Sequence, residues 1–117
     1  MHERSLARAL VRQVEAVAVA NHGPRVRCVR VSVGEFSGVD ADLLESAWRE
    51  SSDGTSLQGV PLALARVQVE GRCGQCREEF EIVGFRFVCP RCGSRSVDVV
   101  RGEELMLESV TLEAPDS

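Results

Sequence analysis

Leu6, Leu10, Val14 and Val17 recur at steps of four, four and three, while Arg4, Arg8, Arg12 and Glu15 fall largely off that stripe. This spacing predicts an amphipathic helix with one face buried. Its stop signal is Asn21-His22-Gly23-Pro24, where Asn or Gly can take the left-handed cap and Pro cannot continue the helix. Val26 to Val33 alternates, with Val29, Val31 and Val33 on one face and Arg30 and Ser32 on the other, which predicts a strand. Gly34 to Gly38 makes a turn, Asp40 stands where an N-cap belongs, and Leu43, Leu44, Ala47 and Trp48 form the stripe of a second helix that ends by Ser51 to Gly54. Further strands are expected at Leu62 to Val69, Val97 to Arg101 and Leu105 to Leu112. The order implies an α+β fold in which two helices cover one face of a small sheet of about three strands. A cysteine-bearing insert, 71–94, interrupts a body made of 1–70 plus 95–117, and the strands on either side of it are expected to share that sheet.

Composition narrows the chemistry. At 117 residues the chain has room for one domain plus a small stapled module, not for a two-domain enzyme. Aromatics are only 4%, so the core must be aliphatic. Lysine is absent, arginine supplies all 14 basic charges, and the net charge is -4. That sign argues against nucleic acid as a partner. The apolar run Ala16 to Ala20 is shorter than the roughly 7–15 residues of an export signal, and no run approaches the roughly 18 of a membrane span. A cytoplasmic protein with reduced thiols is expected, in which paired cysteines are metal ligands in preference to disulfides.

Cys73-Gly-Gln-Cys76 is followed, after twelve residues, by Cys89-Pro-Arg-Cys92. Two residues between ligands let both thiolates of a tight turn face one ion, and two such turns complete a tetrahedron suited to Zn(II). Pro90 presets the second turn, and Gly93 permits the positive φ needed just past the last cysteine. A Cys-Pro-x-Cys can also be a redox dithiol, but that chemistry needs one pair and a helix start, and no helical pattern follows Cys76 or Cys92. Four closed thiolate positions leave no place for water or substrate, so the zinc would be structural. Phe80, Phe85 and Phe87 lie between the pairs and are expected to form the insert's own small core, with partner binding as the alternative. Cys28, within a strand, reads as a small core residue, and His22 as a surface residue.

His2 stands beside the α-amine of Met1. Such a histidine is commonly just solvated. Chemically, however, an amine, an imidazole and intervening backbone amides can chelate a divalent ion, and deprotonated amides impose a square-planar field that suits Ni(II) or Cu(II). Glu3 would add a nearby negative charge and could orient the imidazole.

Met1-His2-Glu3 with Ser5, the Val-Gly-Glu stretch ending at Glu35, the Asp40 to Trp48 helix, Gly54-Thr55, the two cysteine pairs with Cys-Pro-x-Cys-Gly-Ser, and Gly102-Glu-Glu-Leu together resemble the HypA/HybF family of nickel-incorporation proteins for [NiFe]-hydrogenase. The resemblance spans nearly the whole chain. It implies a nickel metallochaperone and no enzyme. Ni(II) would be transient cargo, held by the amino group of Met1, by His2 and by backbone nitrogen of Glu3. Structural Zn(II) would sit on Cys73, Cys76, Cys89 and Cys92. The partners implied are a HypB-type GTPase and the hydrogenase large subunit, with urease accessory proteins in some organisms. Arg4, Trp48 and Leu57-Gln58-Gly59 depart from the family's usual residues, and none is a proposed ligand. The rival reading is a zinc-ribbon interaction adaptor without nickel cargo.

Overall fold

The computed structural model describes residues 2–113. The elements run α1 (Glu3–Ala20), β1 (Val26–Gly34), α2 (Ala41–Ser52), β2 (Leu62–Val67), β3 (Glu70–Cys73), β4 (Glu79–Glu81), β5 (Val97–Arg101) and β6 (Leu105–Leu112). They make two three-stranded sheets, ordered β2-β1-β6 and β4-β3-β5. In the first, β1 pairs parallel with β2 and antiparallel with β6. Both helices cover one face of that sheet, as expected from their stripes, except that Leu43 of the α2 stripe lies 56% exposed, one residue off the face that Leu44, Ala47 and Trp48 bury. Ala7, Leu10, Val11 and Val14 of α1 and Leu44, Ala47 and Trp48 of α2 meet Val29, Val31 and Val33 of β1 in a single core. Trp48, the largest buried side chain, donates its indole N–H to the Val60 carbonyl at 2.8 Å, which ties α2 to the loop before β2.

α1 begins three residues earlier than its apolar stripe does, because Glu3 is itself buried at 6% exposure. Its end is also shifted. His22 and Gly23 take the left-handed conformation, while Asn21 stays right-handed and donates its side-chain amide to the Val17 carbonyl at 2.8 Å.

The short strand β5 was expected in the larger sheet. Instead it pairs antiparallel with β3, opposite β4, and so belongs to the cysteine module. Periodicity cannot assign a five-residue strand to a sheet; the return path of the chain does. The module stands off from the body, giving dimensions of 57 × 33 × 16 Å and a radius of gyration of 18.0 Å, against about 13 Å for a compact chain of this length.

A tight neck joins the two sheets. Gly34 N–H donates to the Glu104 carbonyl at 2.9 Å, Phe36 N–H to the Gly102 carbonyl at 2.8 Å, and Glu35 N–H to the Val67 carbonyl at 2.9 Å. Gly102 adopts φ +99 and lies against the Val69 backbone, where a Cβ would come within 2.7 Å of Val69 Cα. The aromatic residues reinforce this neck. Phe85 stacks on Phe36 with ring centroids 5.2 Å apart, and Phe87 meets the same ring at 5.8 Å. The expected core within the insert is therefore corrected for these two residues: Phe85 is 74% exposed and reaches out to the body. Their partner Phe36 sits nearly fifty residues away, so no local pattern reveals the pairing. Phe85 also holds a left-handed φ of 60, unusual for a bulky side chain. Cys28 is only half buried, because it falls on the sheet face that the helices do not cover.

Candidate metal centre

The loop joining β3 to β4 and the segment before β5 each fold into a knuckle, and the two are equivalent bond for bond. Arg77 N–H donates to the Cys73 carbonyl at 3.0 Å, and Gly93 N–H to the Cys89 carbonyl at 2.9 Å. Cys73 N–H donates to the Glu78 carbonyl and Cys89 N–H to the Ser94 carbonyl, both at 2.9 Å. The residue after the second cysteine is left-handed in both, with φ 76 at Gly93, as expected, and φ 67 at Arg77. Arginine does not signal that conformation in a sequence, although the place of Arg77 in the repeat matches that of Gly93.

The knuckles bring all four expected cysteines together. The four Sγ atoms lie within 4.8 Å of one another, and this is the one such group of three or more ligand side chains among the described residues. Cys73 and Cys92 sulfurs are 3.5 Å apart, and those of Cys76 and Cys89 are 3.6 Å apart. A tetrahedral zinc with bonds of about 2.3 Å sets its sulfurs roughly 3.8 Å from one another, so the cluster is already near the required size. Gln75 and Cys76 N–H groups both donate to Cys73 Sγ at 3.4 Å, the outer support that fixes a thiolate ligand. Cys73 and Cys89 are buried and Cys92 is exposed.

Four thiols this close cannot all ionise without a cation between them. The Cys76 backbone N–H draws the Cys73 thiol down to about 6, against the opposing effect of burial. At Cys92 the Ser94 N–H favours the thiolate, but the adjacent Cys73 sulfur and burial outweigh it and push the thiol up to about 12. A divalent ion removes this conflict by displacing protons, so metal binding here weakens with acid.

The proposed nickel residues are not part of this group. His2 is exposed at the N-cap of α1, where its carbonyl accepts the first helical bond from Leu6 N–H at 3.0 Å. Met1 lies outside the described residues. The Glu3 carboxylate accepts the Asp40 backbone N–H at 3.1 Å, and Asp40 in turn caps α2 by accepting from Asp42 and Leu43 N–H groups at 3.0 and 3.1 Å. The start of α1 is thereby tied to the start of α2. That Asp40 bond, with a further one from Glu3's own backbone, holds the Glu3 carboxyl below its ordinary range. A depressed carboxylate stabilises the fold above its unfolded pKa and loses that contribution as pH falls through the folded value. Glu3→Gln is therefore expected to melt lower than the parent at pH 7, with the two melting temperatures converging as the pH falls below the ordinary carboxylate range. A constant gap across that range would show that charge is not what Glu3 supplies.

A family model described as hydrogenase/urease nickel incorporation, metallochaperone, hypA, matches residues 1–112. The hydrogenase maturation factor HypA of Desulfitobacterium hafniense (strain DSM 10664 / DCB-2) is 35% identical over 113 residues, covering 97% of this chain and 99% of that protein. That of Nitrosospira multiformis is 39% identical over 112 residues, covering 96% and 97%. Among solved structures, the solution structure of the Ni metallochaperone HypA from Helicobacter pylori matches with a TM-score of 0.69 and 28% identity, over 98% of this chain and all of that one. A second, the solution structure of HypA protein, gives 0.76 at 28% identity over 98% of each chain. Among the described residues no helix is long and apolar enough to cross a membrane.

Proposed function

Because this chain belongs to the HypA family of nickel metallochaperones and hydrogenase maturation factors, which are not enzymes, we propose that it carries Ni(II) on its amino terminus and delivers it during [NiFe]-hydrogenase maturation. The cargo ligands are the Met1 amino group, the His2 imidazole and backbone nitrogens that include that of Glu3. Structural Zn(II) occupies Cys73, Cys76, Cys89 and Cys92. Delivery takes place in the cytoplasm, through a HypB-type GTPase and to the hydrogenase large subunit, with urease as a second destination. The chain works as two units, a cargo-bearing body and a zinc-binding insert that extends through β5.

The observation that carries this reading is the separation of the two donor sets. The four cysteines form a closed thiolate cluster at one end of the fold, while His2 is exposed at a helix start and takes no part in it. A closed cluster retains its ion, whereas an exposed one exchanges ligands with a docking partner. Electrostatics favour release as well. The N-terminus of a helix carries about half a positive charge, which opposes a bound cation, so the ion is held only as far as deprotonated nitrogens offset that field. The nitrogens of the first helical turn also lie outside the helix's own bonding ladder, so recruiting that of Glu3 breaks no helical bond and gives up only its bond to the Glu3 carboxylate.

Nickel titration by calorimetry on zinc-loaded protein without a tag tests the reading. His2→Ala and a one-residue amino-terminal extension should each weaken binding at least about tenfold, with zinc content unchanged. Since amine and imidazole must lose protons to bind, affinity should also fall on acidification. Undiminished affinity in both variants overturns the proposal in favour of an adaptor that holds zinc alone.

A further inference from the structure

The helices leave the other face of the β2-β1-β6 sheet open. Across that face, the register sets Ala65 of β2, Ser32 of β1 and Met106 of β6 in one row. Where the chain returns from the module, β5 rises beside this face and encloses a groove of about 420 Å³. Its apolar wall includes Val67, Val100 and Met106, the last two 40% and 47% exposed. Glu103, Glu104 and Glu108 stand around it. Arg101, the cation that also lines the groove, is engaged by Glu70 at 3.4 Å. Among the described residues no ion pair neutralises those three carboxylates; Glu108 only accepts the Ser32 hydroxyl at 2.7 Å.

We propose that this groove docks a partner segment presenting an aliphatic or aromatic side chain between arginines or lysines. Two large exposed apolar residues in one depression mark a contact surface rather than scattered surface residues. A methionine on its wall adapts to varied side chains. Three carboxylates in no ion pair among the described residues, beside an Arg101 already engaged by Glu70, select a basic segment over an acidic one, through both attraction and repulsion of the wrong partner. The surface is distinct from both metal sites. His2 and Glu3 belong to the helical side of the sheet, so a partner held here leaves the amino terminus open, and the inference goes beyond the nickel reading.

The test uses zinc-loaded, ¹⁵N-labelled full chain and a synthetic decapeptide alternating arginine with leucine. Amide shifts are expected in β5, the 102–104 turn and β6, with affinity falling as salt rises. Glu103→Gln combined with Glu104→Gln should weaken binding about fivefold, and Met106→Gln about tenfold, both with unchanged zinc content. Equal binding of a glutamate–leucine counterpart, shifts confined to other surfaces, or no binding at millimolar peptide would overturn the proposal. So would sedimentation showing a dimer that Met106→Gln dissociates, because the occupant would then be a second copy of this chain.

Discussion

Cys89→Ser protein is expected not to hold the zinc proposed for the cysteine cluster and so to lose the ordered β4-β3-β5 sheet, while the helix-covered sheet stays folded. The reason lies in how little else holds the module. Its strands are four, three and five residues long, and its buried hydrophobic members are Val69, Ile82 and two of the cysteines themselves. Strands this short with so small a core are not stable in water by themselves. Structural zinc supplies an apparent 10–16 kcal/mol or so at neutral pH, comparable to the stability of a whole domain. Three thiolates around a missing fourth ligand forfeit much of that. Metal analysis and ¹⁵N–¹H correlation spectra check the result. Resonances of 70–101 should lose dispersion, those of 26–34 and 105–112 should keep it, and Cys28→Ser should retain both zinc and spectrum. Module resonances that stay dispersed without metal would show that its backbone bonds suffice.

Gly34→Ala is expected to destabilise the chain by about 3 kcal/mol, at the upper end of ordinary overpacking. Gly34 is the last residue of β1 and forms the neck. A Cβ there would lie 2.3 Å from the Gly102 carbonyl oxygen and 2.9 Å from Glu104 N, all backbone atoms that cannot swing away. Relief requires parting the end of β1 from the segment that leaves the module, which breaks the Gly34–Glu104 and Phe36–Gly102 hydrogen bonds. Gly23→Ala is the comparison, since it has φ +75 but no atom within 4 Å of the added carbon. Only backbone conformation opposes it, at about 1 kcal/mol. Urea unfolding followed by far-ultraviolet circular dichroism measures both. A Gly34 variant no less stable than the Gly23 one would mean that the neck yields without cost.

Much of this molecule is written in local pattern. The stripes Leu6–Leu10–Val14 and Leu44–Ala47–Trp48, the alternation of Val29, Val31 and Val33, and the Asp40 cap each follow from side-chain periodicity of helix or strand, and each recurs in the structure. Cysteine spacing is equally local, since a tight turn brings both ligands of a pair to one side. β3 and β4 carry no legible pattern, since strands of four and three residues offer too few alternating positions to mark them; the rest of what escaped prediction depends on contacts between distant segments: β5 in the module's sheet, Phe36 beneath Phe85, and Glu3 bonded to Asp40.

The sequence by itself determined the two helices, the strands β1, β2, β5 and β6, the gathering of the paired cysteines into one cluster able to hold a metal, and the family, because each is encoded by neighbours within a few residues or by motifs of fixed spacing. Only the tertiary structure decided how the two units meet. Gly34 and Gly102 allow backbones to touch where any side chain would hold them apart, and that closeness sets β5 beside the open sheet face and fixes the groove between them. Such proximity is a property of chain paths in space, and no periodicity along the chain records it.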